Sequence, residues 1–137
     1  MPDYSDIRRL AAIAREHINE ISPSQARAMI VDGALLVDVR DDEELLRNPP
    51  LARAVHISRG RLEYFISDVA DKDDPIVLYC AGGLRGALAA LSLQNLGYSA
   101  VYNVCGGLHA WRDSHGQPWF RNTWLPGARS AGSSAVA

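Results

Sequence analysis

The chain has 137 residues, 47% hydrophobic and 22% charged, which makes one ordinary domain able to bury roughly two-thirds of its unfolded surface without a metal or disulfide staple. Its formal net charge is −2, with 14 basic against 16 acidic side chains, so no basic excess exists to form a nucleic-acid groove. Two cysteines, Cys80 and Cys105, are too few for a disulfide framework and point to a reducing compartment, hence an expected cytoplasmic location.

The first 15 residues carry charge throughout and lack the apolar core of a secretory leader. Instead, Ile7, Leu10, Ala11, Ala14, Ile18 and Ile21 recur at three- and four-residue spacing, which predicts one amphipathic helix of about four turns. It is expected as an N-terminal helical extension over residues 1–20, ahead of a domain at 21–127. Ser22-Pro23 reads as an N-cap with proline at the first helical position, and Asp32-Gly33 as the end of that second helix. Three continuous apolar runs follow, at 34–37, 75–79 and 100–104, with a weaker one at 54–57. Runs without alternation predict strands covered on both faces of a parallel sheet. Helical patterns at 41–46, 61–69 and 84–96 separate them, and a short helix carrying Leu108 and Trp111 follows Gly107. Residues 86–111 contain no Asp, Glu, Lys or Arg, a stretch long enough to span a bilayer. Gln94, Asn95, Gly97, Asn103 and Gly106-Gly107 cut it into helix, turn and strand, so it reads as buried core and no membrane contact is expected. The fold class is therefore α/β, a single domain with a central, mainly parallel sheet of four to five strands and helices on both faces. Residues 117–126 are aromatic with proline turns and are expected to pack as an extended cover. Residues 128–137 have little to bury and are expected to form a disordered tail.

Chemistry concentrates after the strand at 75–79. Cys80 follows that strand directly and precedes a helix, at the edge where open α/β sheets bind ligands. Unpaired N–H groups and the positive end of the helix dipole favour an anion there, and a thiolate is an anion. Gly82 and Gly83 let the loop curl and aim successive amides at one point. A cysteine so placed is a nucleophile near neutral pH. The competing reading is a small buried hydrophobe at a strand end. It leaves unexplained why two glycines and Arg85 follow at once.

Along the chain stand Asp38-Val39-Arg40 after the first strand, Glu44 in the next turn, and Ala54-Val55-His56-Ile57. Cys80-Ala81-Gly82-Gly83-Leu84-Arg85, Gly97-Tyr98, and Gly106-Gly107 ahead of Trp111 complete the series. In order and spacing it resembles the rhodanese (sulfurtransferase) domain, over residues 21–119. The resemblance implies that Cys80 takes a sulfane sulfur from a donor, holds it as a persulfide and passes it to a thiophilic acceptor. It implies too that the amides of Ala81, Gly82, Gly83, Leu84, Arg85 and Gly86 cradle the sulfur and bind substrate. The implied partners are a small sulfur donor, either thiosulfate or a low-molecular-weight or protein persulfide, and a thiol or cyanide acceptor, with a protein acceptor included. No cofactor is implied. His56 and His109 have no ligand spacing with the cysteines, so no metal is assigned.

Two alternatives accompany this reading. A Cys-dependent phosphatase or arsenate reductase of similar fold is disfavoured by loop length, because such phosphatases resemble Cys-x5-Arg and this chain has Cys-x4-Arg. A non-catalytic interaction module is disfavoured by the intact Cys80. The sequence also departs from the family pattern in two places. Arg85-Gly86 stands where members often carry Arg-Ser, which removes a hydroxyl. Asn48-Pro49-Pro50-Leu51-Ala52-Arg53-Ala54 is one residue longer than the usual Gly-His-Ile-x-Gly-Ala segment beside the site.

The remaining candidates are supporting residues. Asp38 and Arg40, at the exit of the first strand, read as a salt bridge in preference to substrate contacts, and Glu44 as a residue that holds a loop. Arg59 and Arg61 either flank the pocket mouth or start a solvated helix. Cys105 ends its strand at the same sheet edge as Cys80. It reads as an ordinary small residue before a glycine turn, the alternative being a resolving thiol, which needs a Cα approach within about 7 Å. Arg85 is expected to fold its guanidinium over the loop towards the sulfur. With that single cation, thiosulfate binding is expected to be weak and a less charged or larger persulfide to be used better.

Overall fold

Each apolar run is buried on both sides, and that burial is what assembles the strands. The structure, a computed structural model, describes residues 2–115. In chain order its elements are α1 (Ser5–Arg15), β1 (Asn19–Ile21), α2 (Pro23–Val31), β2 (Leu35–Asp38), α3 (Asp42–Arg47), β3 (Val55–His56), α4 (Leu62–Phe65), β4 (Ile76–Tyr79), α5 (Leu84–Asn95), β5 (Val101–Val104) and α6 (Gly107–His115). The five strands form one parallel sheet in the order β1-β5-β4-β2-β3. Every residue of β2 and β4 is buried. Leu35, Val37, Ile76, Leu78 and Val101 pack against Leu62, Ile66, Ala89, Ala90 and Leu93 of the α4–α5 side. Leu36, Val77, Tyr79 and Val104 pack against Ala26, Ile30, Leu108 and Trp111 of α2 and α6. Both faces are covered, which is why the strands read as continuous apolar runs.

α2 begins as expected. Ser22 Oγ accepts the Gln25 N–H at 3.1 Å and Gln25 Oε1 accepts the Ser22 N–H at 2.9 Å, a reciprocal cap. The N-terminal helix differs from expectation. It stops at Arg15, three turns long, and Ile18 and Ile21 leave it. The last turn tightens, with Glu16 and His17 N–H groups bonding Ile13 and Ala14 carbonyls. Asn19–Ile21 then pairs with β5, opposite Tyr102, Asn103 and Val104. Pairing an otherwise open sheet edge outweighs a weak local helix preference. Leu10, expected in the apolar stripe, is 48% exposed, whereas Ala11 and Ala14 are buried against Ala87 of α5. The extension predicted for residues 1–20 is thus part of the packed structure: its helix covers α5 and its end supplies a strand.

The helix expected at 61–69 is also shorter. One α-turn, α4, is flanked by tight turns at Arg59–Arg61 and Ile66–Asp68. Leu62 of α4 and Ile66 of the following tight turn are buried, four residues apart, and both reach the core. Ser67 and Asp68 then favour local turn bonding over helix. No helix among the described residues is long and apolar enough to cross a membrane, and the stretch from 86 to 111 is α5, β5 and the start of α6. The expected cover at 117–126, the tail at 128–137 and the domain end at 127 lie outside the described residues.

Candidate active site

From β2 the chain crosses to β3 on one side of the sheet, and from β4 to β5 on the other. A crevice opens at the C-terminal strand ends where winding reverses, and open α/β sheets bind ligands there. Cys80 follows β4 at this point. It is 1% exposed. Gly83 takes φ +105°, a conformation that glycine holds without strain, and turns the loop into α5. As a result the Gly83 N–H donates to Cys80 Sγ at 3.0 Å and the Gly86 N–H at 3.3 Å. These amides belong to the start of α5, where N–H groups lack helical acceptors and the dipole favours an anion. α6 holds the base of the loop: the Leu108 N–H donates to Cys80 O at 2.8 Å and the His109 N–H to Ala81 O at 3.1 Å. Among the six loop amides singled out from the sequence, those of Gly83 and Gly86 reach Sγ. Cys80 lines a cleft of about 380 Å³ with Tyr4, Ile7, Gly82, Leu84 and Arg85.

Arg85 takes a different partner from the one expected. Its Nη1 and Nη2 donate to Glu44 Oε1 and Oε2 at 2.5 and 2.9 Å, a bidentate clamp between α5 and α3. Glu44 Oε1 also accepts the Asp41 N–H at 2.9 Å. The Arg85 hydrogen bonds hold the Glu44 carboxyl down to about 2, and Glu44 raises Arg85 further above its already high range. A fork on a carboxylate is the stronger geometry, so the guanidinium lines the cleft with its charge already offset. The sulfur is held directly by backbone amides, not by the arginine. Asp41-x-x-Glu44 is capping-box spacing, the sequence signal that could have placed Glu44.

Asp38 and Arg40 form a buried ion pair. Arg40 Nε lies 3.0 Å from Asp38 Oδ1 and Nη2 lies 2.8 Å from Oδ2, while the Arg40 N–H also donates to Oδ1. Arg40 Cζ sits 5.9 Å from the centroid of the Tyr79 ring. Burial pushes the Tyr79 hydroxyl well above its ordinary range, and this hydroxyl accepts the Leu51 N–H at 2.9 Å. The pair does not line the cleft. Residues 48–54 do not line it either. They lie against β4 and α6, with Arg112 Nη1 donating to Asn48 Oδ1 at 3.0 Å and Arg53 at φ +71°. Arg59 pairs with Glu63 at 2.8 Å, and Arg61 lines a separate hollow with Asp41, Asp42, Glu43 and Ser58.

Cys105 is free and exposed, Cys80 free and buried. Partial desolvation and the Glu20 carboxylate raise the Cys105 thiol, which makes it less nucleophilic at neutral pH.

Three contributors escaped the sequence reading. Asn103, noted only as a break in an apolar run, is fully buried and donates Nδ2 to Glu20 Oε2 at 2.7 Å and to Gly83 O at 3.2 Å. Its Oδ1 occupies the space that a Cβ on Gly86 would need. The hydroxyl missing at position 86 therefore leaves no gap, because Asn103 fills the room beneath the loop. A lone amide inside a covered strand was the available signal. Tyr4 and Ile7 reach the cleft through the docking of α1 on α5, and no local pattern announces that.

The profile of the rhodanese-like domain matches residues 22–114. The chain belongs to the rhodanese-like domain family. It is 39% identical over 97 residues to thiosulfate sulfurtransferase GlpE of Pseudomonas syringae, covering 71% of this chain and 90% of that one. Among solved structures, the polysulfide-sulfur transferase homodimer of Wolinella succinogenes is similar with a TM-score of 0.68 and 28% identity, covering 82% of this chain and 90% of that one. A protein from Rhodopseudomonas palustris described as a possible tyrosine phosphatase is similar with a TM-score of 0.71 and 33% identity, covering 83% and 96%. The rhodanese-like match contains the whole Cys80–Gly86 loop and Glu44, whereas α1, with Tyr4 and Ile7, precedes it.

Proposed function

We propose that this protein is a sulfurtransferase that carries sulfane sulfur as a persulfide on Cys80. The observation that carries the reading is the pair of N–H groups, from Gly83 and Gly86, aimed at the sulfur of a cysteine that opens on a cleft. These donors serve the thiolate before the reaction and the persulfide after it. In the first half-reaction the Cys80 thiolate attacks the sulfane sulfur of the donor. A new S–S bond forms, the old bond breaks, and the leaving group, sulfite in the case of thiosulfate, departs with the electron pair. In the second half a thiolate or cyanide attacks the outer sulfur, producing a persulfide or thiocyanate and returning the Cys80 thiolate. Each half balances without an added oxidant or reductant.

The names of the relatives support this class, since they include thiosulfate and polysulfide sulfurtransferases. Ala81, Gly82, Gly83, Leu84, Arg85 and Gly86 bind the donor, while Asp38 and Arg40 support the crevice. Arg85 already faces Glu44, so a dianion gains little from it, and thiosulfate serves as a weaker donor than a less charged persulfide. A thiol, free or on a protein, is the acceptor. Two free cysteines accord with a reducing cytoplasm. The phosphatase description of the R. palustris relative is disfavoured here on two counts. Four residues separate Cys80 from Arg85, and the charge of that arginine is already offset by its bidentate pair with Glu44.

Intact mass after incubation with donors tests the proposal. Cys80 should gain one sulfur, about 32 Da, and lose it to cyanide, with ping-pong kinetics. Cys80→Ser should abolish both. Transfer retained by Cys80→Ser, or efficient hydrolysis of an aryl phosphate without any mass gain, overturns the assignment.

A further inference from the structure

We propose that α1 supplies the donor-selecting wall of the Cys80 cleft, and that this wall favours an organic sulfane donor bearing an aryl or branched alkyl group over inorganic thiosulfate. The inference rests on the sulfurtransferase reading and extends it to the donor class and the residues that choose it. The first ground is the lining. Lining the cleft with Cys80 stand Tyr4, at the N-cap of α1, Ile7 of α1 and Leu84 of α5. Tyr4 is 49% exposed and Ile7 and Leu84 are half-buried, so the described residues leave apolar surface uncovered next to the nucleophile. A cleft of about 380 Å³ is ample for an organic group and oversized for a small inorganic dianion.

The second ground is charge. Arg85 is the cation among the described lining residues, and Glu44 holds both of its Nη atoms. A dianion entering the cleft gives up hydration and meets, among the described lining residues, no cation that is not already paired. A monoanionic thiosulfonate or persulfide gives up less and buries its apolar group against Tyr4, Ile7 and Leu84.

The third ground is rigidity. Ala11 and Ala14 are fully buried against Ala87, which lets α1 and α5 approach closely. Arg15 Nε reaches Glu20 Oε1 at 3.2 Å and ties the end of α1 to β1. Arg8 Cζ lies 5.8 Å from the centroid of the Tyr4 ring. A wall held in place before the donor arrives loses little entropy on binding. α1 precedes the residues matched to the family profile. With an arenethiosulfonate the chemistry is simple. The Cys80 thiolate bonds to the outer sulfur, the bond from that sulfur to the sulfonyl group breaks, and the sulfinate leaves with the electron pair.

The test compares benzenethiosulfonate with thiosulfate in steady-state kinetics of the full chain, with cyanide as acceptor. The wild-type kcat/KM should favour benzenethiosulfonate by at least about tenfold, the worth of a few apolar contacts in a pocket. Combining Tyr4→Ala with Ile7→Ala should reduce that ratio about tenfold, mainly through KM, while Tyr4→Phe should keep it. Tyr4→Ala alone, at a half-exposed helix start, reads the same ratio if the double variant does not fold. A wild-type preference for thiosulfate overturns the inference. So does a loss of both activities in parallel, which would mark α1 as structural only. If neither donor adds mass to Cys80, the sulfurtransferase reading itself is overturned instead.

Discussion

Glu44 holds two donors at once, the Asp41 N–H that starts α3 and the guanidinium of Arg85 beside the reactive sulfur. Its carboxyl is held at about 2, against an ordinary 4.5, chiefly by the Arg85 hydrogen bonds. A lowered carboxyl contributes stability that is present above its unfolded value and lost as pH falls through the folded one. Wild-type protein should therefore lose about 1 kcal/mol between roughly pH 5 and pH 2 through this group, solvent screening included. Glu44→Gln should flatten that acid limb of Tm against pH. The same substitution leaves Arg85 charged and uncompensated next to Cys80, so the KM for thiosulfate should fall by about three- to tenfold. An unchanged acid limb together with an unchanged KM would show that the clamp controls neither.

At the scale of elements, α5 and β5 meet through Gly86 and Asn103. A Cβ at position 86 collides with Asn103 Oδ1, while the Asn103 Nδ2 steadies the carbonyl of Gly83, whose N–H serves the sulfur. Gly86→Ser should cost about 1–3 kcal/mol by overpacking, and Asn103→Ala about 1–3 kcal/mol in lost buried hydrogen bonds. Combined, they should cost less than the sum by about 1 kcal/mol or more, because the shortened side chain makes room for the serine. Urea denaturation of the four proteins reads the coupling. Strict additivity would mean that the two residues do not share the space. The departure from Arg-Ser visible in the sequence at 85–86 thus has its physical counterpart seventeen residues on, in a strand that reads only as an interrupted apolar run.

Across the whole molecule, the parallel sheet brings the ends of β2 and β4 side by side, with the buried Asp38–Arg40 pair at the exit of β2. Arg40→Met would leave the Asp38 carboxylate buried without its partner and should cost about 3–5 kcal/mol, seen as a lowered urea midpoint. A loss under about 1 kcal/mol would show that the pair is not what organises this edge. Local signals were sufficient for most of this architecture. The covered strands announce themselves as apolar runs, Ser22-Pro23 caps α2, and Cys80 with two glycines marks a loop feeding a helix, because each pattern acts over a few neighbouring residues. The end of α1 at Arg15, the pairing of Asn19–Ile21 with β5, the Glu44 clamp on Arg85 and the arrival of Tyr4 and Ile7 at the cleft depend on contacts between distant segments. Such contacts compete with local preference on equal terms and win when they complete a sheet edge, satisfy a charged fork or bury an alanine seam. Position in the chain carries no trace of that competition, so only the assembled fold decides it.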